Sequence, residues 1–191
     1  MMMKIYDRGS NSHVLSLKIK ERKIEKMAEV GVFHGKNVKY VLKDCHDILK
    51  EYWAIDKYNN VWEKGAARGR GYVKKDDSEW HEIYKRVCRF IPFYPQLHIL
   101  KMTSAEASGL FPKKFFPEGY FDFIYIDADH SYNGIKEDIK IWTPLVKKGG
   151  LIGGHDYGRV RWPGVKLAVD ERFGEENVTL YEKQSIWLVN L

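Results

Sequence analysis

Several carboxylate and imidazole side chains follow two apolar runs of the sequence, and their chemical types suit acid–base or metal chemistry. They are Asp127, Asp129 and His130 after the run 121–126, and His155 and Asp156 after the run 151–152. Proteins use such groups as general bases and as ligands of divalent metal ions. If both runs are strands of one open α/β sheet, ligands bind beyond the carboxyl ends of those strands. The two groups would then meet at one site.

The stretch 27–37 combines a short apolar run with Gly31 and Gly35, and a helical pattern begins at Val38. Glycine lets a ligand approach the backbone closely, and a helix N-terminus offers unpaired N–H groups to an anionic or nucleotide-like ligand. Two such glycines are more often only a tight turn. The functional interpretation gains support from Asp56, which lies 21 residues after Gly35 and could accept hydrogen bonds from both hydroxyls of a ribose.

Polar residues recur at the ends of all five predicted strands, since Thr103 and Ser104 follow the run 97–100 in the same way. A single aspartate or serine at such a place is readily explained as a helix cap or a turn residue. Capping does not readily explain the repetition at five strand ends. We therefore interpret this edge of the sheet as the functional site.

The order of predicted elements is typical of an α/β protein with a mostly parallel sheet. Five strands alternate with helices, and the runs 178–181 and 185–189 form a terminal antiparallel hairpin, which makes seven strands. The predicted parallel strands are the runs 30–33, 52–55, 97–100, 121–126 and 151–152. We expect one domain over 1–191, with a polar lead-in at 1–26 and a loop-plus-helix insertion at 59–96.

Composition argues against several classes of protein. With 44% hydrophobic and 14% aromatic residues the chain can form a substantial core, which disordered proteins lack. No apolar run approaches the roughly 18 residues needed to cross a bilayer, and the N-terminus lacks a signal-peptide core, so we expect a cytoplasmic protein with no membrane partner. Cys45 and Cys88 are interpreted as buried free thiols. The net charge of +6 suits acidic small substrates or nucleic acid without selecting between them, and a homo-oligomer stays open.

Three motifs at these strand ends carry a resemblance to a known family. They are E-V-G-V-F-H-G from Glu29, F-D-F-I-Y-I-D-A-D-H-S-Y from Phe121, and L-V-K-K-G-G-L-I-G-G-H-D-Y from Leu145. Together they resemble the class I S-adenosylmethionine-dependent methyltransferases, in particular the branch with D-x-D-H-x-Y and G-G-x-x-x-x-H-D-Y. The resemblance covers about residues 27–157 and implies a Rossmann-like three-layer sandwich.

The resemblance also implies roles toward bound S-adenosylmethionine. Its methionine end would lie against Glu29, Gly31 and Gly35, its ribose against Asp56, its adenine near Ser104, Ala105 and Glu106, and its transferable methyl group opposite Asp127. The glycine loop departs from the dinucleotide fingerprint G-x-G-x-x-G, so a ligand without a pyrophosphate suits it better.

The spacing of Asp127 from His155 and Asp156 resembles the metal-binding arrangement of the magnesium-dependent catechol and antibiotic-sugar O-methyltransferases. That pattern has two adjacent oxygen ligands where this chain has His155 before Asp156. Magnesium prefers oxygen ligands, so the imidazole favours a softer divalent ion or a histidine that acts as a base. A metal site formed by Asp127, His155 and Asp156 and a metal-free site both stay open. His130 is a second candidate base, or else a helix-capping imidazole.

These observations predict methyl transfer from S-adenosylmethionine to a hydroxyl group of a small molecule, such as a sugar or a natural-product intermediate. The catalytic candidates are Asp127, Asp129, His130 and His155. A nucleic-acid methyltransferase and a catalytically silent cofactor-binding protein of the same fold are the alternatives. The basic loop 64–75 is interpreted as a solvated lid over an acidic or phosphorylated substrate, because it has few aromatic residues for binding nucleic acid.

Overall fold

The computed structural model describes residues 9–59 and 75–191, together with the backbone of residues 3–5. Its helices are α1 (Asn11–Arg22), α2 (Lys36–Cys45), α3 (Asp77–Cys88), α4 (Ser104–Gly109), α5 (Tyr132–Trp142) and α6 (Pro163–Phe173). Its strands are β1 (Met3–Ile5), β2 (Lys26–Val30), β3 (Glu51–Asp56), β4 (Leu97–Lys101), β5 (Phe121–Ile126), β6 (Val146–Gly154), β7 (Thr179–Tyr181) and β8 (Ile186–Asn190). The basic loop predicted at 64–75 lies outside the described residues, apart from Lys75.

The strands form one sheet in the order β1-β7-β8-β6-β5-β2-β3-β4. β8 runs antiparallel to β6 and β7, and the other neighbouring pairs are parallel. The Rossmann-like α/β fold with a C-terminal antiparallel pair is therefore confirmed. β1, which pairs with β7, is an eighth strand inside the predicted lead-in, and its three residues are too few for a recognisable pattern.

Two strands differ in their limits from the predicted runs. The apolar run 30–33 is not itself a strand, because β2 ends at Val30. Phe33 has a positive φ of 47° and is 43% exposed, so it belongs to the turn before α2. β6 begins at Val146, five residues before the predicted run 151–152, and continues through Gly149 and Gly150.

Helices cover both faces of the sheet, which makes the three layers. One core cluster joins the sheet to α1, α2 and α3 through Leu15, Val41, Leu42, Ile83 and Val87. The other joins it to α4, α5 and α6 through Ala107, Ile135, Ile139, Val165 and Val169. β5 lies in the middle, and its side chains from Phe123 to Ile126 are fully buried, as a strand covered on both faces requires. In the described part of the chain, no helix combines the length and apolar character needed to cross a bilayer.

The carboxyl ends of β2, β3 and β5 are held together by backbone contacts around Gly31. The Gly31 N–H donates to the Ile55 carbonyl at 2.8 Å, and the Asp127 N–H donates to the Val30 carbonyl at 2.7 Å. Gly31 has a φ of +93°, and a Cβ atom added there would lie 2.2 Å from the Asp127 carbonyl oxygen. A side chain at this position would therefore separate the two strand ends that carry the predicted site.

We expect Gly31→Ala to destabilise the protein by about 2 kcal/mol or more, because alanine meets both a backbone clash and an unfavourable φ. Urea unfolding measures the effect. Gly109→Ala is the matched control, since an added Cβ there has no neighbour within 4 Å. The control should change the free energy of unfolding by less than about 1 kcal/mol. Equal stabilities of the two variants would contradict the close packing at Gly31.

Candidate functional site

A cavity of about 710 Å³ lies across the carboxyl ends of β2, β3, β4 and β5. Its volume is within the range of small-molecule binding sites. Of the predicted site residues, those that line it are Glu29, Gly31, Asp56, Ser104, Ala105, Asp127, Asp129 and His130. The structure thus brings residues from four separate strand ends to one place, as the sequence predicted for this edge of the sheet.

Asp56 holds the glycine loop in its conformation. Its Oδ2 accepts hydrogen bonds from the backbone N–H groups of Val32 at 3.0 Å and Phe33 at 2.8 Å. Its Oδ1 accepts one from the N–H of Tyr58 at 2.9 Å. Each oxygen of an ionised carboxylate can accept more than one hydrogen bond, so these contacts leave capacity for ribose hydroxyls. Asp56 therefore organises the loop as well as facing the cavity.

Glu29 lines the cavity but is only 1% exposed. Its Oε1 accepts a hydrogen bond from the Asn37 side-chain amide at 2.8 Å, and its Oε2 accepts one from the Tyr52 hydroxyl at 2.6 Å. Burial raises the pKa of Glu29 to about 8 despite these two hydrogen bonds, and the charges of Asp127 and Asp56 add to the rise. Glu29 is therefore mostly protonated at neutral pH in the free protein.

Sequence reasoning did not identify Asn37 and Tyr52 as part of this site. Asn37 lies in the first turn of α2, directly after the glycine loop, so its position was a usable signal. Tyr52 is fully buried on β3, where its aromatic ring matches the core pattern and conceals the role of its hydroxyl. Only the packing of β3 beside β2 brings that hydroxyl to Glu29.

Asp127, His130, His155 and Asp156 form a compact cluster beside the cavity. The His155 Nδ1 lies 3.4 Å from the Asp127 Oδ1 and 3.2 Å from the Asp156 Oδ1. The His130 Nδ1 lies 3.4 Å from the Asp156 Oδ2, and the His130 Nε2 lies 4.0 Å from the Asp127 Oδ1. The burial of His155 would lower its pKa, but the hydrogen bond and charge of Asp127 and the charge of Asp156 outweigh it and raise the pKa.

The geometry modifies the metal set proposed from sequence. Among the residues that the structure describes, ligand atoms of Asp127, His130 and Asp156 all lie within 4.8 Å of one another, so His130 joins the two carboxylates expected from the sequence. His155 contacts the carboxylates of both Asp127 and Asp156 through its Nδ1 atom. Asp156 adopts a φ of 61°, and Arg159 Nε lies 3.4 Å from its Oδ1. The described residues thus place two histidines, His130 and His155, beside the same two carboxylates.

The remaining predicted residues have structural contacts. The Asp129 carboxylate accepts a hydrogen bond from the Ser131 N–H at 2.8 Å, just before α5. Asp129 therefore orders this turn and also lines the cavity. Ser104 donates its hydroxyl hydrogen to Asp138 and accepts the Trp142 indole N–H at 2.8 Å. Its hydroxyl is thus already used on α5.

Glu106 and Gly35 are not among the described residues that line the cavity. The Glu106 carboxylate forms a capping box with Thr103 at the start of α4. Gly35, with a φ of +70°, packs against Val87 and caps α2. Both residues support the site from outside, by shaping the turns that carry cavity-lining residues.

An open α/β sheet with a glycine loop, an acidic residue at the end of the next strand and a cavity across the carboxyl ends is typical of proteins that bind a nucleoside cofactor. Comparison with protein families then gives the class: the family described as a methyltransferase domain matches residues 28–157. The chain belongs to this family, and it is a class I S-adenosylmethionine-dependent methyltransferase. Among curated protein sequences, none matches the chain.

Solved structures share the fold at low sequence identity. The calicheamicin methyltransferase CalS11 matches this chain with a TM-score of 0.64 at 16% sequence identity. The match covers 94% of this chain and 78% of the CalS11 chain. An O-methyltransferase from Bacillus cereus, in complex with SAH, matches with a TM-score of 0.61 at 14% sequence identity. That match covers 98% of this chain and 84% of the Bacillus chain. Identities this low establish a common fold rather than a common acceptor.

The raised pKa of Glu29 predicts a pH dependence of stability. Between its ordinary pKa of 4.5 and about 8, the folded protein holds a proton that the unfolded chain releases. The stabilisation that protonated Glu29 gives the folded protein is therefore fully present below pH 4.5. It is lost as the pH rises toward 8, at up to about 1.4 kcal/mol per pH unit.

Urea unfolding of cofactor-free protein from pH 5 to 9 tests this expectation. Glu29→Gln should remove the part of the slope that Glu29 causes, because glutamine is neutral throughout and the Tyr52 hydroxyl can donate or accept. The raised pKa of His155 leaves a smaller slope above pH 6.5 in both proteins. The control, Glu118→Gln, changes an exposed glutamate and should follow the wild type. A constant difference between wild type and Glu29→Gln over this range would show that Glu29 is ionised when buried.

Proposed function

We propose that this methyltransferase transfers the methyl group of S-adenosylmethionine to a hydroxyl group of a small molecule. The observation that carries the proposal is the carboxylate–imidazole cluster around Asp127, at the end of the most buried strand. A hydroxyl is a weak nucleophile until a base or a metal ion lowers its pKa, and this cluster contains the groups for either. The neighbour CalS11, described as a TDP-rhamnose 3'-O-methyltransferase, supports a sugar or natural-product acceptor.

The proposed cofactor site runs along the cavity from β2 to β4. The methionine end of the cofactor would lie at Glu29 and Gly31, where Asn37 adds a polar side chain. The ribose would lie at Asp56, and the adenine beside the segment 102–105 that follows β4. This order would place the methyl group toward Asp127 and leave the α5 side of the cavity for the acceptor.

The cluster is also suited to a divalent cation, held by Asp127, His130 and Asp156. Metal–ligand distances of about 2.0–2.2 Å put opposite ligands about 4 Å apart, close to the 4.8 Å span of these atoms. The imidazole suits a borderline ion such as Zn²⁺ better than Mg²⁺, and the two carboxylates also suit Mn²⁺. A bound cation would lower the pKa of a coordinated hydroxyl and fix its orientation. His155, in contact with both carboxylates, would orient them.

The reaction itself asks mainly for positioning, because methyl transfer is an in-line displacement at the sulfonium carbon. Asp127 would hold the acceptor oxygen in line with the methyl group, and the imidazoles of His130 and His155 are near enough to receive the hydroxyl proton. The buried wall of the cavity would keep water, a competing nucleophile, from the methyl group. Each of these roles belongs to residues that the described structure already holds in place.

Asp56 provides the test of the cofactor site. Asp56→Ala should weaken S-adenosylhomocysteine binding by about 1–3 kcal/mol, because it removes both the ribose acceptor and the brace of the glycine loop. Calorimetry measures the affinity, with Asp47→Asn as an exposed control. Undetectable binding to the wild type would contradict the cofactor assignment, and unchanged affinity in Asp56→Ala would contradict the placement of the ribose.

The metal site is tested by titration of the protein with Mn²⁺, followed by electron paramagnetic resonance. One tight site should appear in the wild type and weaken at least about tenfold in Asp127→Asn and in Asp156→Asn, since each loses a charged ligand. Asp129→Asn is the control, because its carboxylate lies nearby but accepts the Ser131 N–H in the turn before α5. Absence of Mn²⁺ binding in the wild type would leave the histidines as bases and remove the metal from the proposal.

With an acceptor in hand, Asp127→Asn should lower turnover about 100-fold or more while leaving S-adenosylhomocysteine affinity nearly unchanged. The shape of the side chain is kept and only its charge is lost. Normal turnover in this variant would show that the chemistry takes place elsewhere.

A further inference from the structure

The turn between β6 and α6 forms one edge of the cavity, on the side that the proposed function leaves for the acceptor. Trp162, the last residue of this turn, lines the cavity, and its ring lies 5.0 Å from the His130 ring. The turn is ordered by hydrogen bonds from the Arg159 N–H to the Asp156 carbonyl at 3.3 Å and from the Trp162 N–H to the Arg159 carbonyl at 2.9 Å. It therefore presents its side chains at a defined place.

Close packing of two helices holds Trp162 over the cluster. Gly164, in the first turn of α6, has no room for a Cβ, which would lie 2.4 Å from the backbone nitrogen of Tyr132 at the start of α5. His130 precedes α5 and Trp162 precedes α6, so this contact sets their distance. Trp162 therefore comes from a backbone segment packed against the start of α5, and its ring forms part of the cavity wall beside His130.

The two arginines of the turn differ in whether they form an ion pair. Arg159 is committed to the Asp156 carboxylate, 3.4 Å from its Nε. Arg161 is exposed, and its guanidinium lies 5.2 Å from the centre of the Trp162 ring. Within residues 9–59 and 75–191, no carboxylate forms an ion pair with Arg161. Val160, at the tip of the turn, is 98% exposed, so nothing in the described structure covers this edge.

We infer that Arg161 is a specificity-determining residue, and that the acceptor carries an anionic oxygen group about one ring away from the hydroxyl that is methylated. The two ring contacts of Trp162 together place the Arg161 guanidinium no more than about 10 Å from the His130 ring. That span suits a sugar or aromatic ring whose hydroxyl lies at the cluster and whose carboxylate or phosphate lies at Arg161. A guanidinium binds both groups through paired N–H donors.

The charges of the cavity agree with this orientation of the acceptor. Without a bound cation, Asp127 and Asp156 would repel an anion at the cluster, so an anionic acceptor would direct its charge outward. Arg161, beside Trp162, is the cation that such a charge would meet on the α6 side, whereas Lys36 and Lys57 line the proposed cofactor side of the cavity. The hydroxyl end, which is neutral, can enter among the carboxylates. The turn thus selects both the charge and the direction of the acceptor.

The inference depends on the proposed methyl transfer, and binding experiments separate the two. Calorimetry with S-adenosylhomocysteine-loaded protein compares 3,4-dihydroxybenzoate with its methyl ester, and glucose 1-phosphate with methyl glucoside. At least one anionic probe should bind about fivefold or more tightly than its neutral counterpart, and the pair that responds identifies carboxylate or phosphate. Arg161→Gln should abolish the preference, and Arg161→Lys should keep part of it.

Arg172→Gln is the matched control, because the Arg172 guanidinium also lies over the ring of the next residue, 5.3 Å from the centre of Phe173, but at the far end of α6. This variant should keep the wild-type preference. Failure of the wild type to bind S-adenosylhomocysteine would overturn the proposed function itself. Cofactor binding without preference for either anion, or a preference that survives Arg161→Gln, would overturn only the role of Arg161.

Discussion

The site depends on the contact between Gly31 and the backbone of Asp127. Two neighbouring parallel strands end at this point, and the first must turn away while the second continues to the acidic residue. The turn passes so close to the Asp127 carbonyl that no side chain fits between them. Because the backbones touch, Glu29, Asp56 and Asp127 face a common cavity and not three separate surface positions.

Carboxylates brought close together repel one another. Their surroundings differ at the two ends of the cavity. At the β2 end, Glu29 is removed from water and stays mostly neutral at pH 7, held by Asn37 and Tyr52. At the β5 end, Asp127 and Asp156 keep close imidazole partners. One acid thus takes up a proton, whereas the other two lie beside imidazole groups.

The two sides of the cavity are built by different parts of the fold. The proposed cofactor side is formed by strand ends, whose relative positions follow from hydrogen bonding in the sheet. The proposed acceptor side is formed by the turns that enter α5 and α6, whose positions follow from helix packing at Gly164. Strand pairing restricts position more than a helix contact does, so methyltransferases of one fold can keep the cofactor site and differ at the acceptor.

The order and type of the main elements could be predicted from the sequence because hydrophobic period and strand-end residues are local properties. The buried run of β5, the glycine loop and Asp56 are recognisable for this reason, and so is the shared edge of Asp127, His130 and Asp156. Partners that are distant in sequence could not be predicted. Tyr52 reaches Glu29, Ser104 bonds to Asp138 and Trp162 covers His130 only after strands and helices pack. A local sequence pattern reflects the secondary-structure preference of each residue. A hydrogen bond or ring contact between two elements depends instead on where the fold of the whole chain places both residues.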